Sequence, residues 1–511
     1  MITVLTLLPI LGGLLILAFS RTRASARILA VLFAVASLAL SVFLWLGIEP
    51  STPGMQFEDI HEWAPSLGIA YHVGVDGLGV LMLVLSAMVV LMSLAAAWAN
   101  AKLNPVYFAL VLFLEAGLFG TFTALNFVHW FIFWELSLIP AYFLIRLWGG
   151  SRRARAANQF FLYTMVGSIA LLLAFLALFL ATGRFDFVDL ANLAQSGQLM
   201  PSLAQNLHWS ANPAHIGQLL FWAAFLGFAV KTPVVPFHTW LPAAYAEAPT
   251  ETTMLLTGAM SKMGIYGFLR ILLPIFPQQM QQARSPLLWL AVATIVLPAF
   301  AAWVQNDLKR TFAYGSVNHL GYCVLGVVIC AQTAGSATEK SAALTGVLLQ
   351  IFSHGLTAAA LFWFIALLER RTAGRRGIDD FGGLRKVIPV FSGLMGIAIF
   401  ASLGLPGLNG FPGEFLIFKG AFPLEAWATS ISVLGLLMTA VFLLTVIQKV
   451  FSGPVNSRWQ TLPDLTTTER YAVAPAIALM FVLGLFPQLI TGMIHGTVAQ
   501  WVLSLSQGGH F

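Results

Sequence analysis

Apolar runs of about 20 residues recur along the whole chain, separated by short polar stretches. A bilayer core of roughly 30 Å is crossed by about 20 helical residues, so each run predicts a membrane-spanning helix. Fourteen windows qualify: 2–19, 28–48, 75–98, 105–124, 127–148, 158–182, 216–235, 251–276, 287–305, 312–332, 343–368, 387–419, 426–448 and 471–496. Two of these regions, near 216–250 and 387–419, are too long or too interrupted to be simple helices. The pattern predicts an all-α, polytopic membrane protein.

Composition agrees. Of 511 residues, 59% are hydrophobic and 9% charged, against roughly a quarter charged in soluble domains. A net charge of +6 does not indicate nucleic acid, because the Lys and Arg residues fall in short loops between apolar runs. Placing the N-terminus outside puts eighteen of them on the cytoplasmic side, among them Arg152, Arg153, Arg375 and Arg376, and leaves only Arg184, Arg284 and Lys340 in external loops. That asymmetry predicts external N- and C-termini. The long segment 49–73, carrying Glu58, Asp59 and Glu62 without Lys or Arg, is then external. Arginines follow the first apolar run rather than precede it, so a retained helix is expected rather than a cleaved signal peptide. Cys323 and Cys330 share one predicted helix and cannot frame a disulfide scaffold or a structural zinc site.

The charges left inside the spans carry the candidate chemistry. Arg146, Arg270 and Lys419 lie toward span ends, where snorkelling to the headgroups accounts for them. Lys262 lies about 11 residues from either end of its span, roughly 16 Å of helix, too far for its side chain to reach water. Such a charge in lipid costs between about 3 and 10 kcal/mol, so it must face other helices, an acid or internal water. Lys231 poses the same problem one span earlier. Glu115 and Glu135 lie deep in their spans, Glu414 lies in the interrupted span, and His319 and His354 occupy spans 10 and 11. Burial disfavours an ammonium charge and a nearby carboxylate favours it, so an acid–lysine pair can hold or release a proton, and imidazoles can bridge such sites. The candidate proton relay is Glu135, Lys231, Lys262, His319, His354 and Glu414.

Helix breakers interrupt two spans, at Lys231-Thr-Pro-Val-Val-Pro-Phe-His-Thr-Trp-Leu-Pro242 and Gly404-Leu-Pro-Gly-Leu-Asn-Gly-Phe-Pro-Gly-Glu414. Backbone freed at membrane depth is tolerated only inside protein or beside water. Matched breaks five spans apart, each beside an ionisable residue, point to a repeat of transporter type. The expected organisation is spans 1–3 in 1–104, one five-helix repeat in 105–276, a second in 287–450, and a C-terminal helix and tail in 471–511.

These residues resemble the proton-pumping, antiporter-like subunits of respiratory complex I, most closely the M type. Phe133-Trp134-Glu135-Leu136 with Ile139-Pro140 is similar to the family's helix-5 motif, Val230 to Pro242 to its helix-7 lysine motif, Ser261 to Arg270 to its helix-8 central lysine, and Gly404 to Phe415 to the M-type terminal glutamate. The resemblance covers nearly the whole chain. It implies two five-helix antiporter-like repeats, a modulating pair Glu135–Lys231, Lys262 as central carrier, His319 and His354 as bridges, and Glu414 as the exit-side group. Ala243 and Tyr245 depart from the Asp and His often found after the family's Trp-Leu-Pro, and no long lateral helix of the L-type subunit follows span 14.

The resemblance implies a membrane-arm subunit of a proton-translocating NADH:quinone oxidoreductase, with L-type and N-type subunits as neighbours, in the bacterial cytoplasmic or an equivalent energy-conserving membrane. The chain has no Gly-rich dinucleotide turn and no cysteine set for iron–sulfur clusters. No cofactor is therefore expected on it; FMN, iron–sulfur clusters and quinone are expected on partner subunits. Competing readings are a subunit of a multisubunit cation/proton antiporter or membrane-bound hydrogenase, the proton channel of an inorganic-carbon uptake complex, and a structural scaffold, which has no use for buried lysines.

Overall fold

The computed structural model describes residues 1–206, 213–332 and 335–507. Apolar runs fold as helices because a helix satisfies its own backbone polar groups where water is absent. The first six long helices are α1 (Ile2–Phe19), α2 (Arg23–Gly47), α3 (Gly77–Ala97), α4 (Pro105–Thr123), α5 (Phe127–Trp148) and α6 (Arg153–Thr182). Short helices α7 (Phe187–Gln195) and α8 (Leu199–Asn206) lead to α9 (Pro213–Lys231) and α10 (Trp240–Glu247). The next crossing is segmented: α11 (Thr250–Leu255), α12 (Lys262–Gly267) and α13 (Leu273–Ile275) are joined by π turns at Leu256–Met260 and Phe268–Leu272. After α14 (Pro277–Gln282) come α15 (Arg284–Trp303), α16 (Leu308–Cys330) and α17 (Ala337–Arg371). Then follow α18 (Leu384–Val387), α19 (Pro389–Ser402), α20 (Gly410–Leu424), α21 (Ala426–Val446), α22 (Thr467–Leu485) and α23 (Gln488–Gln507).

Among the described residues, twelve helices are long and apolar enough to cross a membrane. They correspond to all the expected spans but two. The expected spans 251–276 and 387–419 are crossings too, but π turns divide one and a break at 403–409 divides the other. Sequence polarity sets many helix starts. Asn104 accepts from the Tyr107 N–H with Pro105 at the first position, and Asn126, Asp76 and Asp307 cap α5, α3 and α16.

α16 and α17 form the centre. The most apolar stretch of α17 is wholly buried, whereas 28% of it is buried in α2 and in α22, which therefore lie at the rim. The last crossing is not one helix over 471–496, as expected, but two: the backbone turns at Phe486–Pro487, where proline cannot continue the hydrogen-bond ladder. Glu469, at the start of α22, pairs with Arg371 at 2.6 Å. Gly496, in α23, donates to the Pro50 carbonyl at 3.0 Å, so the two helices traverse the bundle once between them.

The two ends of the bundle differ. At one, the arginine-rich connections interlock: Arg376 reaches Asp307, Glu369 and the Ala246 carbonyl, and Gly150 N–H donates to Glu247 O. At the other, segment 49–73 and the two residues after it form an antiparallel hairpin that the hydropathy pattern did not suggest, β1 (Gln56–Ala64) and β2 (Ile69–Val75), with Ile60 opposite His72. β2 is stitched to the α4–α5 turn by the Leu125 N–H, which donates to His72 O at 2.9 Å. His72 itself lies between carboxylates, Nδ1 2.5 Å from Asp186 and Nε2 3.3 Å from Glu58.

Candidate functional site

Lys262 opens α12 immediately after a π turn. A π turn widens the helix and re-aims the side chains and carbonyls around it, and here it presents the Thr257 carbonyl to the ammonium. Lys262 Nζ donates to Thr257 O at 2.5 Å, lies 3.3 Å from Ser261 Oγ and reaches His354 Nδ1 on α17 at 2.8 Å. The lysine is fully buried. The His354 ring lies 5.1 Å, centre to centre, from His319 on α16. His319 Nδ1 is 3.1 Å from Glu414 Oε1 on α20, and its Nε2 is 3.1 Å from Ser402 Oγ. Small cavities beside the two histidines, bordered by Ser402 and Glu414 on one side and Ser316 on the other, each have room for about one water. Four of the six sequence-predicted residues thus form one series, Lys262–His354–His319–Glu414, drawn from four helices.

The broken crossing is what delivers Glu414. Gly404 adopts φ +76°, a left-handed conformation that glycine enters without penalty, and a Cβ on it would lie 2.7 Å from Glu414 Oε2. Asn409, inside the break, donates to the Ser353 carbonyl at 3.1 Å, satisfying backbone on α17. In the first break, the Trp240 indole donates to Val230 O at 3.0 Å and Thr294 Oγ1 accepts from Val235 N–H at 2.9 Å. The first interruption thus has freed backbone groups met by side chains, as buried irregular backbone requires, and the second is tied to α17 by its own Asn409.

Lys231 ends α9, where the negative end of the helix dipole favours a cation. Its ammonium donates to Ser137 Oγ at 3.3 Å and sits 4.6 Å over the Trp134 ring, both on α5. The expected modulating pair is not a direct contact. Glu135 lies within electrostatic reach of Lys231, but among the described residues the two make no ion pair. Glu135 is half-buried, its Oε1 without a hydrogen-bond partner, on the helix face that also carries Ile132 and Ile139, 45% and 50% exposed. One residue past Lys231 the neighbouring segments touch: a Cβ on Gly264 would lie 2.0 Å from Thr232 Oγ1 and 2.7 Å from Thr232 N. This brings the Lys231 break against the helix that bears Lys262. Glu115 is fully buried on α4 with neither carboxylate oxygen hydrogen-bonded, apart from the series.

Of the residues expected to snorkel, Arg146 and Lys419 are exposed. Arg270 is not. It is buried, pairs with Asp76 at the start of α3, and lies 5.7 Å from the Tyr266 ring and 5.9 Å from that of Trp501. Distance to a span end does not give the direction a side chain faces, and Arg270 turns inward from its π turn. Lys309 and Lys340, expected in loops, are also buried, donating to the carbonyls of Ala248 and Gln332. Gln350 and Ser402, which contact the His319–Glu414 pair, carried no signal in the sequence; an amide or hydroxyl in an apolar run is too common to single out.

A many-pass bundle whose buried centre holds a lysine, two histidines and a carboxylate in one contiguous series belongs to the ion-path class of membrane subunits. The family described as NADH:quinone oxidoreductase/Mrp antiporter, transmembrane, matches residues 124–442. The chain is 33% identical to NADH-quinone oxidoreductase subunit M of Rhodobacter capsulatus over 98% of its length and 96% of that protein. It is 34% identical to F(420)H(2) dehydrogenase subunit M of Methanosarcina mazei, covering 96% and 95% of the two chains. A chain of respiratory complex I from Thermus thermophilus superimposes with a TM-score of 0.84 at 29% identity, covering 99% of this chain and all of that one. The chain belongs to the NADH:quinone oxidoreductase/Mrp antiporter transmembrane family.

Proposed function

We propose that this chain is the M-type, proton-translocating subunit in the membrane arm of an NADH:quinone oxidoreductase, and that protons pass through the series Lys262–His354–His319–Glu414. The observation that carries the reading is the continuity of those four side chains across the bundle centre, where ionisable groups are otherwise too costly to keep. In this reading Lys262 is the central carrier, the histidines bridge, Glu414 is the exit-side group, and Glu135 modulates Lys231 at a distance rather than by contact. The two breaks belong to the two five-helix repeats, 105–276 and 287–450. The arginine-rich end faces the cytoplasm and the hairpin end faces outward.

Redox chemistry falls to partner subunits, which would hold FMN, iron–sulfur clusters and quinone. The relatives support this division: proteins named for NADH and for F(420)H(2) are equally similar to this chain, so the membrane subunit does not follow the electron donor. L-type and N-type subunits are the neighbours this reading supplies. The deciding experiment is Lys262→Ala in the assembled complex reconstituted into proteoliposomes. Normal assembly with loss of most proton pumping is expected; full pumping refutes the role of Lys262.

A further inference from the structure

We propose that Gln350 is a positioning residue for the proton hand-off between His319 and Glu414, acting through the one carboxylate oxygen that both side chains share. The inference rests on the reading that this series carries protons. Gln350 lies on α17 one helical turn before His354 and is 2% exposed. Its Nε2 donates to Glu414 Oε1 at 3.2 Å and lies 3.4 Å from His319 Nδ1. His319 Nδ1 is itself 3.1 Å from the same Oε1, so the three groups form a closed triangle.

The orientation of the amide follows from the network. Turned over, its oxygen would face a carboxylate oxygen, acceptor against acceptor, and the interaction would be lost. An amide neither takes up nor gives up a proton in this role, so Gln350 is not a carrier. It is a fixed donor. An N–H aimed at Oε1 holds that oxygen in place beside His319 Nδ1, the atom across which the proton is handed on. On the other side of the ring, Ser402 Oγ stands 3.1 Å from Nε2 and can donate to it when Nδ1 carries the proton. Close packing of α20 on α17 brings the triangle within reach of Gln350: a Cβ on Gly413 would lie 2.8 Å from Gln350 N and 2.9 Å from its Oε1. Without glycine beside Glu414, α20 could not approach α17 this closely.

The test uses the whole complex in proteoliposomes, with Gln350→Met, Gln350→Glu and Gln350→His compared against wild type and Lys262→Ala. Met keeps length and volume but has no N–H, Glu is isosteric but puts a second carboxyl group beside Glu414 that competes for the shared proton, and His keeps a nitrogen donor. One hydrogen bond to a charged group corresponds to about tenfold in rate or more. Gln350→Met and Gln350→Glu should therefore pump about tenfold more slowly at normal assembly, while Gln350→His stays within about threefold. The infrared carboxyl bands assigned to Glu414 by Glu414→Gln should shift in the first two variants only. Pumping and carboxyl bands unchanged in whichever of Met and Glu assembles overturn the inference, and leave the underlying reading intact if Lys262→Ala is inactive. A fully pumping Lys262→Ala overturns that reading and this inference together.

Discussion

Lys262 is tolerated in the bundle interior because a carbonyl, a hydroxyl and an imidazole converge on its ammonium, supplying the hydrogen bonds that a buried charge needs. Away from the spans, His72 follows a related logic. Burial works against its charged form, but hydrogen bonds and opposite charge from Asp186 and Glu58 outweigh it and hold its imidazole above the ordinary histidine value. A raised value in the folded protein means that this contribution is complete below the ordinary value and fades as pH climbs through the raised one. Proteolytic cleavage in the 56–75 hairpin should increase between about pH 6 and about pH 8 in wild type and be flat across that range in His72→Gln. The residues legible in the sequence were those whose chemistry is improbable in an apolar run: Lys231, Lys262, His319, His354 and Glu414. The inward turn of Arg270 is not legible, because sequence gives depth along a helix but not the neighbour across it, and Asp76 is separated from it by 194 positions.

Among the elements, both breaks were legible because proline and glycine cluster there. The π turns were not, since Leu256–Met260 and Phe268–Leu272 contain nothing that ordinary helices avoid apart from Gly258. They matter because the second turns Arg270 toward Asp76, tying the segmented crossing to α3 and, through Trp501, to α23. Removing one partner of a buried pair costs about 3–5 kcal/mol, because the other charge is left unpaired. Arg270→Met should lower the thermal midpoint of the purified complex, and adding Asp76→Asn should recover most of the loss. Melting curves of the two variants check this; equal destabilisation would show that Arg270 acts by packing instead. The hairpin escaped the hydropathy pattern because β1 carries polar and apolar residues without clean alternation, its burial interrupted by irregular register.

For the whole molecule, the number of crossings was legible, whereas the division of the last one at Phe486–Pro487 was not. The orientation is open to direct measurement, because Cys323 and Cys330 are both buried. Single cysteines placed at the exposed positions Glu62 and Arg375 would then be the accessible thiols. In intact cells a membrane-impermeant reagent should label Glu62→Cys, while Arg375→Cys should react only after lysis; the reverse pattern inverts the proposed topology. Glu135 has a consequence at this scale. It lies half-buried on the flank that carries the exposed Ile132 and Ile139, with one carboxylate oxygen buried and unbonded, and a carboxyl group at that depth costs a few kcal/mol unless another polar group meets it. A polar group on an adjoining membrane-arm subunit would lift that cost, so the isolated chain should melt at a lower temperature than the assembled one.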